Sequence, residues 1–205
     1  MKVQKIITGL YEVNTYLVYN DLNNVLIIDP GADAEDIINT LEACKMTPVA
    51  ILFTHGHADH ISALDGLLQR YHIPVKMAAE DAVWAFTPIN CFPGYEQLQK
   101  YPEELLSSIR EADMIVSGEG SLRVIHTPGH TPGCVCFVDD VGRAVFAGDT
   151  LFAGSVGRTD LPGGDWDAMA NSLKKLMQLP DDYQVYPGHG QETTIGKEKR
   201  TNQYC

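Results

Sequence analysis

The chain has 205 residues, 44% of them hydrophobic, and a formal net charge of −12. That length buries one large core and forces no second domain, so a single domain over residues 1–205 is expected. The negative charge repels a phosphate backbone, which weighs against nucleic acid as a partner and favours small substrates.

Only short apolar runs such as Val25-Leu-Ile-Ile28 occur in residues 1–30, so neither a secretory leader nor a membrane span is expected. Five cysteines (Cys44, Cys91, Cys134, Cys136 and Cys205) are an odd number in a chain too large to need stapling. Reduced thiols and a cytoplasmic location follow as expectations.

In chain order, Lys2 to Ile7, Thr15 to Tyr19 and Val25 to Asp29 read as an opening antiparallel meander. Asp33 starts a helix whose apolar positions Ile37, Ile38, Leu41 and Cys44 recur at helical spacing, with Pro48 ending it before the strand Val49 to Phe53. The series Ile61, Leu64, Leu67, Leu68, Tyr71 predicts a second helix, and Val75 to Met77 a strand. Residues 84–101 read as an irregular loop rich in aromatics, either a lid or a surface loop packing its own rings. Strands follow at Leu122 to Ile125, Cys134 to Val138 and Ala144 to Phe146, then a helix near Trp166 to Gln178 and a strand at Tyr183 to Tyr186.

His55-Gly-His57-Ala-Asp59-His60 places three imidazoles and a carboxylate directly after the apolar run Val49 to Phe53. No packing requirement asks for that pattern, and four donors in one loop diverge too much to converge on one tetrahedral ion, so two ions sharing the loop are expected. Further donors follow strands in the same way: His130 in Thr127-Pro-Gly-His-Thr-Pro-Gly133, Asp149 in Ala147-Gly-Asp-Thr150, and His189 in Tyr186-Pro-Gly-His-Gly190. Loops leaving several strands at one sheet edge can bring such residues together.

These segments occur in the order found in the metallo-β-lactamase fold hydrolases, and the chain resembles their hydroxyacylglutathione hydrolase (glyoxalase II) branch over nearly its whole length. The resemblance implies an α/β chain folded as a four-layer αββα sandwich with two mixed sheets between outer helices. It implies that His55, His57 and His130 hold one ion, that Asp59, His60 and His189 hold the other, and that Asp149 bridges them. Zinc is expected, with iron and manganese compatible with the same donors. A water between two dications has its pKa lowered to about 7, and Asp59 is placed to orient it as the catalytic carboxylate. The expected substrate is a small anionic thioester, lactoyl-glutathione being the best guess. The helical extension of two-domain glyoxalase II is expected to be absent, since 16 residues follow His189.

Rival readings are a persulfide dioxygenase of the same fold with one iron, a hydrolase of another small ester or lactone, a noncatalytic metal sensor and a nuclease. His126 and His72 read as packing residues, and Cys134 and Cys136 as buried hydrophobes. Arg158 and Asp160 read as an ion pair fixing the metal loop, with substrate contact as the alternative. Lys197 reads as a solvated helix end, or as a cation for a substrate carboxylate. The sequence carries no signature of oligomeric state.

Overall fold

The computed structural model describes residues 1–205. It opens with the meander β1 (Lys2–Thr8), β2 (Val13–Tyr19) and β3 (Asn24–Ile28), followed by helix α1 (Ala34–Ala43) and strand β4 (Thr47–Leu52). Helices α2 (Ala58–Ile61) and α3 (Leu64–Arg70) lead to β5 (Val75–Ala78), α4 (Ala79–Ala85) and β6 (Leu106–Ile109). These strands form one mixed sheet in the order β1-β2-β3-β4-β5-β6, antiparallel at first and parallel from β3 onward.

The second half adds β7 (Met114–Ser117), β8 (Gly120–His126), β9 (Val135–Asp139) and β10 (Ala144–Gly148). A hairpin of β11 (Leu151–Phe152) and β12 (Ser155–Val156) precedes helix α5 (Trp166–Leu176). Strands β13 (Gln184–Pro187) and β14 (Thr193–Thr194) then lead into helix α6 (Ile195–Thr201). The second sheet has the order β14-β13-β10-β9-β8-β7, with β10 and β13 parallel.

Alternation along the strands explains the layers. In β3, Val25 and Ile27 join the helix-facing core with Ile37, Leu41, Leu64 and Leu67, while Leu26 and Ile28 face the other way into the core between the sheets. In β9, Val135 and Phe137 meet that central core, and Cys136 and Val138 pack on Met169, Leu173 and Leu176 of α5. Strands apolar on both faces are what a sheet covered on both sides requires. The result is the αββα sandwich that the family resemblance implied.

Several boundaries differ from the sequence reading. Helix α1 ends at Cys44 and Lys45, not at Pro48: Lys45 turns left-handed at φ 52° and the Met46 amide closes back on the Leu41 carbonyl at 2.8 Å. Pro48 lies inside β4, where the pairing with β3 shifts register. The expected helix from Ile61 to Tyr71 is two short ones, because the amides of Ser62 and Ala63 are taken by the carbonyls of Gly31 and Pro30 at 3.0 and 3.1 Å.

Strands β6 and β7 escaped the sequence reading altogether. Residues 84 and 85 belong to α4 rather than to the 84–101 loop. The remainder of that segment packs its own rings, Phe86 on Tyr101 at 5.4 Å and Phe92 on Tyr95 at 5.4 Å. Buried Asn90 ties it to the donor loop by accepting from the Ala58 amide at 3.1 Å and donating to the Gly56 carbonyl at 2.8 Å. No helix is long and apolar enough to cross a membrane.

Candidate metal centre

The seven sequence-predicted donors all leave the C-terminal ends of strands. His55 follows β4, with His57 and the short α2 bearing Asp59 and His60 close behind. His130 follows β8, Asp149 follows β10, and His189 follows β13. Because β4 belongs to one sheet and the other three strands to the second, the donors meet at the mouth between the sheets. Backbone bonds hold that mouth closed, Val135 amide to Thr54 carbonyl at 2.8 Å and Asn14 amide to Gly188 carbonyl at 2.8 Å.

His55, His57 and His130 form one group and Asp59, His60 and His189 another, with candidate ligand atoms within 4.8 Å of one another in each. Asp149 stands between them. Its Oδ1 lies 3.5 Å from His60 Nε2, and its Oδ2 lies 3.6 Å from His130 Nε2 and 3.7 Å from His189 Nε2. Gly188 makes this approach possible, since a side chain there would collide with Asp149 Oδ1 and press on His60.

Hydrogen bonding around the cluster fixes where the lone pairs point. Thr54 Oγ1 donates to Asp29 Oδ2 at 2.6 Å, so towards His55 Nδ1 at 3.1 Å it must accept, and His55 Nε2 is left as a bare acceptor. That atom is buried without a partner, as is Asp149 Oδ1. His130 Nδ1 donates to the Arg158 carbonyl at 2.7 Å, His60 Nδ1 to Asp29 Oδ2 at 3.1 Å, and His189 Nδ1 to the Tyr11 carbonyl at 2.8 Å. The Nε2 atoms of His130, His60 and His189 therefore face inward. His60 and His189 oppose each other at 3.2 Å, and His57 Nδ1 opposes His130 Nε2 at 2.9 Å. Imidazole nitrogens facing one another at such distances, with the orphaned His55 Nε2 and Asp149 Oδ1 buried beside them, are surroundings that a cation would complete. The residues fit a metal centre by this test.

With protein groups alone the two sides differ in charge. Burial pushes His57 down to about 4, and the neighbouring His130 acts in the same direction. Burial together with the imidazoles of His60 and His130 pushes His55 well below its ordinary value. Burial also works against a charged His60, yet the carboxylates of Asp59, Asp149 and Asp29 outweigh it and raise this group to about 10. Burial opposes ionisation of Asp59 as well, but His60 and His189 hold it down at about 2. His189 is raised, the carboxylates of Asp59 and Asp149 overcoming burial.

Two supporting carboxylates escaped the sequence reading. Asp29, buried at the end of β3, receives the Thr54 amide at 2.7 Å, the Thr54 hydroxyl and His60. Asp29 and His55 also lie within ligand distance of His60, but the Nδ1 contact makes Asp29 a support for the imidazole. The signal for it was present, a carboxylate closing an apolar strand before Pro30-Gly31 at the edge where His55 emerges. Asp81 on α4 is fully buried and receives Gly56 amide at 2.8 Å, Thr131 hydroxyl at 2.7 Å and Gly133 amide at 2.8 Å. It staples the His57 loop to the His130 loop, and nothing local marks it.

The residues outside the cluster take other places. Arg158 and Asp160 do pair, through two bonds of 2.7 and 2.8 Å, and both side chains are exposed. What reaches the cluster is the Arg158 carbonyl. Lys197 is exposed on α6, which starts with its amides on Tyr183 and Asp181, at the end of β13 remote from His189. His126 Nε2 contacts the Pro132 carbonyl at 3.0 Å, His72 is exposed, and Cys134 and Cys136 are buried.

Comparison with known proteins agrees with this geometry. The profile of the metallo-beta-lactamase superfamily matches residues 8–189. Hydroxyacylglutathione hydrolase GloC of Haemophilus influenzae is 32% identical over 212 residues, spanning 100% of this chain and 98% of that protein. Among solved structures, the BLEG-1 B3 metallo-beta-lactamase superposes with a TM-score of 0.92 at 36% identity, covering 99% of both chains. TTHA1623 in a di-iron-bound form superposes with a TM-score of 0.89 at 37% identity, covering 99% of this chain and 100% of that one.

Proposed function

The chain belongs to the metallo-beta-lactamase superfamily, and from that premise we propose that it is a binuclear thioester hydrolase of the hydroxyacylglutathione hydrolase type. Its coarser identity as a metal-dependent hydrolase rests on the family and on the His/Asp cluster. The observation that carries the finer reading is the inward convergence of acceptors in two groups about Asp149. His55, His57 and His130 would hold one ion, Asp59, His60 and His189 the other, and Asp149 would serve both, as the di-iron form of a relative 37% identical supports.

Bound there, two divalent ions would supply a water acidified to about pKa 7 and a Lewis acid for an acyl carbonyl and a departing thiolate. Asp59, ionised at neutral pH, accepts a hydrogen bond from the attacking water and sets its direction. The Nδ1 bonds of His55, His60, His130 and His189 fix each ring so that Nε2 stays aimed inward. Zinc suits the thiolate leaving group, with iron or manganese compatible. Five free cysteines fit the reducing cytoplasm, and the negative net charge fits a small-molecule partner rather than nucleic acid.

The test is elemental analysis paired with an acyl-thioester panel that includes lactoyl-glutathione, run with and without oxygen. Two ions per chain and thiol release without oxygen are expected. One iron with oxygen consumption on a persulfide would overturn the reading. The B3 metallo-beta-lactamase neighbour favours a second one, so a chromogenic β-lactam belongs in the panel; turnover of it with no thioester cleaved would put β-lactam hydrolysis first.

A further inference from the structure

An aromatic ring flanks each donor group. Trp84 of α4 lies 5.4 Å from the His57 ring, and Phe152 lies 6.2 Å from the His189 ring. On the His189 side the Tyr11 carbonyl fixes His189 Nδ1, while the Tyr11 ring stacks on Phe92 at 5.7 Å with an interplanar angle of 14°. This loop presents apolar surface to solvent: Leu10 is 69% exposed and Tyr11 44% exposed. Leu10 also packs over Gly94, so the Leu10-Tyr11 turn and the Phe92–Tyr95 turn form one continuous apolar wall joined to the centre. Contiguous exposed apolar surface beside a polar centre marks a place where something apolar binds.

The groups that support the donor histidines add little free positive charge to this rim. Thr54, Asp29, Tyr11 and Arg158 are the groups that hold the outer nitrogens of the donor histidines. Of these only Arg158 is basic, and its guanidinium is already engaged by Asp160. Lys197 stands at the other end of β13. None of these groups offers a free cation to an acyl-side carboxylate, whereas an alkyl or aromatic acyl group would find Trp84 beside His57, and Phe152 with the Tyr11–Phe92 stack on the His189 side.

We infer that the substrates of this centre are thioesters with apolar acyl groups, aliphatic or aryl, which lie against Tyr11, Phe92, Trp84 and Phe152. This rests on the thioester reading above and replaces its hydroxyacyl group with an apolar one. The metal-loaded protein is assayed on a series with one common thiol, from acetyl through butyryl to hexanoyl, with benzoyl, lactoyl and succinyl members. Expected is a rise in kcat/KM of about two- to fourfold per added methylene, the range between partial and full burial of each group, with lactoyl and succinyl below butyryl.

In Tyr11→Ala and Trp84→Ala the hexanoyl-to-acetyl ratio falls about fivefold or more. A merely structural role would lower every substrate alike and leave the ratio intact. Binding of the matching non-hydrolysable thioethers, read by intrinsic tryptophan fluorescence, gives a readout that needs no turnover and is expected to tighten with chain length. A flat or inverted chain-length profile in turnover, or a preference for succinyl, overturns the apolar reading while leaving thioester hydrolysis standing. Absence of all thioester turnover overturns the hydrolase reading and this inference together, whereas turnover with a flat chain-length profile and flat thioether affinity overturns this inference alone.

Discussion

His55, His57 and His130 meet as three imidazoles, with His55 and His130 backed by a hydroxyl and a carbonyl, whereas Asp59, His60 and His189 bring a carboxylate and two imidazoles, one of them backed by Asp29. In the first group, His55 and His57 are held neutral by burial and by the neighbouring imidazoles. The second is held charged by its carboxylates. Two sites built from nearly the same residue types thus offer different terms to a cation. The first gives it bare lone pairs and no compensating charge, and the second gives it charge but asks it to displace a proton. Position relative to Asp29, Asp59 and Asp149 makes the difference.

Removing the residue common to both sides should have the largest effect. Asp149→Ala is expected to reduce metal content on both sides and to lower kcat/KM by at least about a thousandfold, since metal-assisted catalysis is worth several kcal/mol; elemental analysis and thioester kinetics check it. The supports separate the sides. Asp29→Ala touches His60 directly and His55 through Thr54, so both ions should bind about 10- to 100-fold more weakly. Asp81→Ala frees only the His57 and His130 loops, so one of two stepwise affinities should fall, about tenfold, in a competition titration with a chromophoric chelator. Equal loss of both steps in Asp81→Ala would refute the division.

A smaller effect sharpens the charge difference. His60 at about 10 carries a proton at pH 7 to 8 that an ion must displace, while His57 at about 4 carries none. Calorimetry in buffers of different ionisation enthalpy should therefore detect protons released from His60 and from the raised His189 as the Asp59 side loads, and nearly none from His57. Affinity on the Asp59 side should fall as pH drops below 10. In stripped protein, His57 contributes stability present above its ordinary 6.5 and lost as pH falls through 4, whereas His60 contributes stability present below 6.5 and lost as pH rises through 10. The smallest effect belongs to Arg158→Ala. The exposed pair with Asp160 is screened by water and the carbonyl that holds His130 remains, so metal content and melting temperature should match the parent.

Much of this centre was legible in the chain because donor identity and strand-end position are local properties. His55-Gly-His57-Ala-Asp59-His60 after an apolar run and three later donors after three later strands were enough to expect convergence. The strands of the core were legible for the same reason, since apolar residues on consecutive positions announce burial on both faces. The edge strands were not. Leu106–Ile109 carries two serines at its centre and shows no apolar run, while Met114-Ile115-Val116 is a run of only three whose outer two side chains stay exposed, so pairing with neighbours makes both of them strands.

By itself the sequence determined that strands such as Val25 to Asp29 are apolar at consecutive positions and which residue types stand at the strand ends, while the four layers were implied by the family resemblance. The tertiary structure alone decided that Asp29 supports His60, that Asp81 joins two loops 75 residues apart between Gly56 and Thr131, that His57 turns Nδ1 inward while its partners turn Nε2, and that Lys197 stands away from His189. Periodicity and composition encode which face a residue presents to its own strand or helix. A hydrogen bond between segments distant along the chain depends on how those segments pack, and that is settled only when the two sheets close on each other.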